Sequence, residues 1–216
     1  MNEFQQVIES FDIAQSSELA PEEVREKIQQ YCVLLWHKNQ KLNLTRHTDW
    51  ETFVARDLVD TLQLSKLIEH GTEVLDVGSG GGVPGLLLAI IRPDLRVNLT
   101  ESVGKKALAL VEFAEALSVP VQVFQERAES LLAEFRYDYM TARAVGSLSK
   151  LCRFFNGHWI NVGAMLATKG PNWVNEKAEA EEAGLLDEIE IELAAEYPTP
   201  MTDWSSTILR ICARKD

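Results

Sequence analysis

Positive charge is scarce in this chain. Lys and Arg number 21 against 33 Asp and Glu, giving a formal net charge of -12. Neutralising a phosphate backbone takes clustered cations, so this balance excludes a general nucleic-acid coat and requires any polyanion to be met locally. Long apolar runs are missing too. No stretch approaches the roughly 18 residues that a spanning helix needs, and Met1-Asn2-Glu3-Phe4 lacks the basic flank and apolar core of an export signal. The expectation is a cytoplasmic protein without membrane association. Cysteine is rare and odd in number, and Cys32, Cys152 and Cys212 sit among apolar neighbours. They read as small buried hydrophobes in a reducing compartment rather than as disulfides. His37, His47, His70 and His158 are scattered without ligand spacing, so no metal is expected, and the sequon Asn43-Leu44-Thr45 is accidental in such a compartment.

What is present suits one main α/β domain with a modest extension, a helical cap over residues 1–70 and a larger unit over 71–216 packed together, and a monomer is the expectation. Pro21, acidic Glu22 and Glu23, and apolar Val24, Ile28, Tyr31 and Leu35 at helical spacing mark an amphipathic helix reaching to about Lys41. Thr48 and Glu51 read as a capping box opening a second helix, with Phe53, Val54, Leu58 and Leu62 facing inward. Strand candidates follow at 73–77, 96–100, 121–125, 137–142, 163–167, 188–193 and 207–213. Helical segments are expected at 84–91, 103–117, 128–135, 147–155 and 172–185. Alternation of this kind predicts parallel pairing through crossovers, with helices on both faces of a seven-stranded sheet.

The most informative stretch is Val74-Leu75-Asp76-Val77-Gly78-Ser79-Gly80-Gly81-Gly82-Val83-Pro84-Gly85. Apolar residues that stop at a glycine cluster read as a strand entering a turn, and Pro84 suits the first turn of a helix. Glycines without Cβ let a bulky ligand lie against the backbone, beside free N–H groups at the positive end of the helix. Glu101 closes the next apolar run, where a doubly wound fold holds a nucleoside's ribose hydroxyls. Gly80, Gly82 and Gly85 fit a dinucleotide fingerprint, which keeps a nicotinamide- or flavin-dependent oxidoreductase in view. Asp76, two residues before the first glycine, instead fits Asp-x-Gly-x-Gly-x-Gly, similar to the first motif of Rossmann-like S-adenosylmethionine-dependent methyltransferases. A carboxylate there suits a cationic ligand and would be badly placed beside a pyrophosphate.

Ligands in such sheets sit beyond the carboxyl ends of the strands. Those positions hold Gly78 to Gly82, Glu101, Arg127-Ala128-Glu129, Arg143 and Lys169-Gly170-Pro171. Glycine backbone and a carboxylate suit a nucleoside, Ala128 and Glu129 could edge an adenine, and Arg143 and Lys169 would face a phosphate-rich substrate. The window from Tyr139 to Asn175 carries Arg143, Lys150, Arg153 and Lys169 and no acid, and that from Trp36 to His47 likewise carries only basic charge.

Taken together, Asn43-Leu44-Thr45, Arg56-x-x-x-Asp60-Thr61, the glycine turn with Val83-Pro84-Gly85, Glu101-Ser102-x-Gly104-Lys105-Lys106, Arg127-Ala128-Glu129, Ala142-Arg143-Ala144 and Lys169-Gly170 resemble the RsmG (GidB) family of bacterial 16S ribosomal RNA guanine-N7 methyltransferases. The resemblance implies a Rossmann-like class I methyltransferase fold with S-adenosyl-L-methionine as cofactor and the small ribosomal subunit as partner, its target being the guanine conventionally numbered 527. It places the cofactor against Gly78, Val83, Glu101, Ala128, Glu129 and Arg143, to which the reading of the glycine turn adds Asp76, Gly80 and Gly82. Members usually carry His after the Arg of the Arg-His-x-x-Asp-Ser motif, where this chain has Asp57. Gly81 stands where Pro is frequent, and Glu101 where Asp is common.

Guanine N7 presents a lone pair and no proton, so methyl transfer to it needs alignment and electrostatics rather than a general base. The expected roles are therefore Arg143 and Lys169 at the target nucleotide, with Arg56, Lys105, Lys106, Lys150 and Arg153 guiding RNA. Trp36, Trp50 and Trp159 are read as core fillers rather than base-stacking residues. The rival readings are the oxidoreductase and a non-catalytic module that binds an adenine nucleoside.

Overall fold

The computed structural model describes residues 2–11, 13 and 16–214. Seven strands form one sheet: β1 (Glu73–Val77), β2 (Arg96–Thr100), β3 (Gln122–Phe124), β4 (Tyr137–Arg143), β5 (Val162–Lys169), β6 (Ile189–Pro198) and β7 (Ser205–Ala213), in the spatial order β3-β2-β1-β4-β5-β7-β6. β1 to β5 pair in parallel, as two-sided burial of their apolar runs requires. β7 runs antiparallel to both β5 and β6, which makes the sheet mixed. Uniform parallel pairing fails here for a physical reason. Only residues 199–204 separate β6 from β7, too few for a crossover, so the two strands form a hairpin that inserts β7 beside β5. β6 is left on the edge, where Glu190, Glu192 and Glu196 discourage pairing with another chain.

Helices α5 (Gly85–Ile91), α6 (Gly104–Leu117), α7 (Ala128–Leu132), α8 (Leu148–Phe154) and α9 (Trp173–Glu182) connect the strands. α5 is buried along its whole length, consistent with a sequence that is apolar all round. Two apolar clusters lie on the two faces of the sheet, one holding Leu86, Leu110 and Phe113, the other Met140, Leu151 and Phe155.

The N-terminal region contributes α1 (Glu3–Ser10), α2 (Glu22–Leu42), the short α3 (Trp50–Phe53), a π-turn over Val54–Leu58 and α4 (Val59–Ser65). Ile28, Tyr31 and Leu35 of α2 are fully buried in the same cluster as Leu86 and Leu110, so this face continues the core of the sheet. The capping box expected at Thr48 is not formed. Asp49 is the cap, its side chain accepting from the Thr52 N–H at 2.7 Å, because a carboxylate at that position reaches the orphan donor and also opposes the helix dipole. The inward residues Phe53, Val54, Leu58 and Leu62 are all buried as their spacing predicts.

The order of the sheet reverses at β1 and β4, since the chain builds β1, β2 and β3 to one side and then returns to place β4 and β5 on the other. In an open α/β sheet this is where the crevice for a ligand lies. The glycine turn after β1 and Arg143 at the end of β4 both stand at that crevice.

Close packing beneath the turn is testable. A Cβ on Gly85 would lie 2.5 Å from both the Asp76 carboxylate and Leu99, whereas one on Gly170 would meet nothing within 4 Å. Gly85→Ala is expected to cost roughly 3 kcal/mol or more of stability, and Gly170→Ala less than about 0.5 kcal/mol, compared by urea unfolding.

Candidate functional site

The turn after β1 is built on left-handed glycines, with φ of 64° at Gly78, 55° at Gly80 and 104° at Gly82, a conformation that side chains with a Cβ rarely adopt. Ser79 N–H donates to the Thr100 carbonyl at 2.8 Å, and Gly82 N–H donates to the Ser79 carbonyl at 2.6 Å. Glu101 locks the other side. Its Oε2 accepts from Gly80 N–H at 3.1 Å and its Oε1 from Val103 N–H at 2.8 Å, so the carboxylate at the end of β2 is fixed directly against the glycines. From below, the buried Tyr31 hydroxyl of α2 donates to the Gly81 carbonyl at 2.9 Å. Gly78 remains exposed.

Asp76 lies under this turn and is fully buried. Its Oδ1 accepts from the Thr141 hydroxyl on β4 at 2.7 Å. Its Oδ2 forms no hydrogen bond of acceptable geometry among the described residues, although the N–H of Gly85 is turned toward it and favours its charged form. Burial dominates and pushes the Asp76 carboxyl up to about 6. The structure thus puts Asp76 behind the crevice rather than in it.

Arg143 emerges from β4 into a buried polar cluster. Its Nη1 meets Asp57 Oδ1 at 2.6 Å and its Nε meets Asp60 Oδ2 at 3.1 Å. Asp57 also contacts His47 Nδ1 at 2.8 Å, and Asp60 accepts from the Tyr197 hydroxyl of β6 at 2.8 Å. Burial lowers the affinity of Arg143 for its proton, but the two carboxylates outweigh it and hold the guanidinium above the ordinary arginine value. Asp60 is shifted upward, mainly by its own burial. Asp57 and Asp60 reach Arg143 together because residues three apart share a helix face, and Asp57 belongs to the π-turn that precedes α4. Such turns recur at functional sites, and no sequence signal announced this one.

Lys169, at the end of β5, donates to the Gly146 carbonyl at 2.6 Å and to Glu176 Oε2 at 2.7 Å. Three cavities run along these strand ends. One of about 240 Å³ is bordered by Gly78, Thr100, Ala128, Glu129 and Lys150. Another of about 770 Å³ lies between the glycine turn, residues 43–47 of the cap and Arg143. The third, of about 410 Å³, opens beyond Arg143 toward Lys169, Arg56 and Trp204. Gly78 borders the first two, while Arg143 and Ala144 border the last two, so they form one continuous groove. Gly78, Gly80, Val83, Ala128, Glu129, Arg143, Lys169 and Arg56 therefore border these cavities, whereas Glu101 is buried against the turn and borders none of them. Gly82 lies buried behind the groove. Lys105 and Lys106 lie on the first turn of α6, outside the cavities, and Arg153 borders a separate pocket with Cys152 and Trp159. Sequence reasoning missed His47, Tyr197 and Trp204.

A nucleoside fits the part of the groove nearest Gly78. There an exposed backbone in the left-handed conformation and the Glu129 side chain offer polar contacts, the apolar walls of Val77, Val145 and Phe154 offer a surface for a ring, and the Glu101 carboxylate braces the turn from behind. Among the described residues no group of His, Cys, Asp and Glu is arranged to hold a metal ion, and no helix is long and apolar enough to cross a membrane.

Residues 24–197 match the family model described as GidB, rRNA small subunit methyltransferase G. Curated relatives include Ribosomal RNA small subunit methyltransferase G of Rhodopirellula baltica, 47% identical over 91% of this chain and 83% of that protein. The protein of the same name from Chromobacterium violaceum is 40% identical over 67% of this chain and 70% of its own length. Among solved structures, a mutant of MtNAS in complex with S-adenosylmethionine superposes with a TM-score of 0.57 at 17% identity, covering 97% of this chain and 84% of that one. At that identity the likeness concerns the fold.

The position of Asp76 has a consequence for stability. Its folded-state value of about 6 exceeds the unfolded 3.8, so the folded form binds the proton more tightly. The charged carboxylate therefore costs stability above about pH 6, and that cost is removed as pH falls toward 4, to the order of 3 kcal/mol. Asp76→Asn is expected to flatten this component of the stability profile between pH 7.5 and 4.5, measured by urea unfolding. An unchanged profile would show that Asp76 is not the buried titrating group.

Proposed function

This chain belongs to the GidB family of rRNA small subunit methyltransferases, and we propose that it transfers a methyl group from S-adenosylmethionine to N7 of a guanine in 16S RNA, the position numbered 527. It is an S-adenosylmethionine-dependent rRNA methyltransferase, which decides against the oxidoreductase and the non-catalytic nucleoside-binding module. The cofactor, when bound, supplies an electrophilic methyl group carried on a sulfonium. The observation that supports its seat most strongly is the Glu101 carboxylate, held against Gly80 at the reversal point of the sheet.

Within this reading, the backbones of Gly78, Gly80, Gly82 and Val83 shape the bed of the cofactor. Glu101 takes the ribose hydroxyls, and Ala128 and Glu129 border the adenine. Asp76 acts from beneath, joining β1 to β4 through the Thr141 hydroxyl. Arg143 and Lys169 stand where the groove leaves the cofactor seat. Lys169 uses two of its three ammonium hydrogens on Gly146 and Glu176, and Arg143 keeps N–H groups beyond those engaged by Asp57 and Asp60, so both can still contact a phosphate or base oxygen. No group is required to take a proton from N7 before the methyl arrives. In-line placement and the positive charge at the rim carry the step.

RNA guidance falls to the local cations. Lys105 and Lys106 occupy the first turn of α6, where positive charge opposes the helix dipole and gains nothing for stability, a placement that an approaching phosphate would compensate. Lys150 borders the cavity beside Gly78 and Arg56 the one beside Trp204, and Arg153 adds a cation in the last turn of α8. A partner met through such local charge fits a ribosomal surface better than free RNA, given the net charge of -12.

The test uses tritiated S-adenosylmethionine with immature small ribosomal subunits. Label is expected in RNA as N7-methylguanosine, and label at another atom or in no RNA would contradict the proposal. Glu101→Ala is expected to weaken cofactor binding at least about tenfold by calorimetry, the loss of one charged hydrogen-bonding partner. Arg143→Ala is expected to lose several kcal/mol of stability along with activity, because it leaves two buried carboxylates unpaired.

A further inference from the structure

We infer that Trp204 is the stacking surface on which the target purine is held for methylation, a positioning role that rests on the RNA methyltransferase reading above. Trp204 belongs to the tip of the β6–β7 hairpin and borders the cavity that opens beyond Arg143 and Lys169. The residue is 45% exposed. Among the described residues, it is the one large exposed apolar side chain that lines a cavity at the strand ends. Nothing in the packing explains why a tryptophan should stand half in water there, since that exposure forfeits apolar burial.

The backbone that carries the indole is tied down by the hydrogen bonds of the hairpin tip. The Thr199 N–H donates to the Trp204 carbonyl at 3.1 Å, the Thr202 hydroxyl donates to the Thr199 carbonyl at 2.7 Å, and Thr199 and Ser206 share a buried hydroxyl contact of 2.6 Å. The tip is therefore fixed before any ligand arrives. Arg56 places its guanidinium carbon 5.4 Å from the Trp204 ring centroid, within the range of a cation–π contact. One side of the ring is thus held by a cation that can also meet a phosphate, and the exposed remainder is free for a base.

A second observation in the same cavity points the same way. Thr168, whose neighbour Lys169 ends β5, keeps a buried hydroxyl oxygen with no hydrogen-bond partner among the described residues. Buried hydroxyls are almost always satisfied. A purine lying on Trp204 would bring polar edge atoms into this cavity, which Thr168 borders, and a turn of the Thr168 side chain about χ1 would bring its hydroxyl out to meet such an edge.

Enzymes that modify a base take it out of its stack and replace the lost stacking with aromatic surface. Trp204 supplies that surface from the hairpin, opposite the cofactor seat across Arg143. This also gives the antiparallel hairpin at the end of the sheet a function beyond closing the edge.

The experiment measures methyl transfer to immature small ribosomal subunits by wild type, Trp204→Ala, Trp204→Phe and Arg56→Ala, together with S-adenosylmethionine binding by each. Trp204→Ala is expected to lower kcat/KM for the subunit about tenfold or more, the weakening produced by loss of one base–aromatic stack, with cofactor affinity unchanged. Trp204→Phe keeps a ring and is expected to retain most of the activity. Arg56→Ala is expected to fall in the same direction by raising KM. An active wild type whose kcat/KM is unaffected by Trp204→Ala overturns the proposal alone, as does a Phe variant as impaired as the Ala variant. A wild type that binds S-adenosylmethionine yet methylates no RNA overturns the underlying reading and this proposal with it.

Discussion

Arg143 ties the central sheet to the helical cap and, through Asp60 and Tyr197, to the terminal hairpin. It rises from β4 and engages Asp57 and Asp60 of the cap, while His47 and Tyr197 complete the hydrogen bonding of those carboxylates from a loop and from β6. Charges taken out of water are tolerated only when every member is paired, and removal of one partner leaves the others stranded. The cluster therefore works as a register device. It sets where residues 43–47 lie relative to the glycine turn, and so fixes the width of the groove. The cap is a wall of the site and shares its core with the sheet through Tyr31 and Leu35.

A second constraint acts at the glycine turn. Asp76 below, Tyr31 on the cap side and Glu101 on the β2 side hold a backbone with three left-handed glycines in one shape. A preformed turn of this kind spends its ordering cost during folding, leaving less to be lost when a ligand settles on it. The same economy applies to the hairpin tip beside Trp204. An acidic protein can work on RNA under these conditions because its few groove cations are placed rather than numerous. Arg143 and Lys169 are held by carboxylates that cost them most of their free motion.

Much of this architecture was legible in the sequence. β1, β2 and β4 fall within a residue of the apolar runs that mark them, and the glycine turn sits where those runs stop. These features are local, set by periodicity and by the backbone demands of glycine. Glu101 was found because a spacing rule ties it to the turn. What escaped was long-range or too fine for pattern. The pairing of Arg143 with Asp57 joins residues far apart in sequence, and Asp57, where the family motif usually carries His, signalled only a departure until its partners came into view. The antiparallel insertion of β7 follows from the short connection at 199–204, which the alternation of strands and helices concealed. The cap at Asp49 rather than Thr48 reflects competition between adjacent polar side chains that a spacing template does not resolve. Trp204 escaped because a lone tryptophan reads as core until its exposure is known.

The account as a whole stands on one chemical event, the methylation of a particular ribosomal guanine by the groove that Arg143 organises. Mass-spectrometric mapping of 16S RNA from cells lacking this chain, with and without its reintroduction, addresses that event directly. The account predicts that N7-methylguanosine at position 527 disappears with the chain and returns with it. An RNA whose modification pattern is the same in both strains would contradict it.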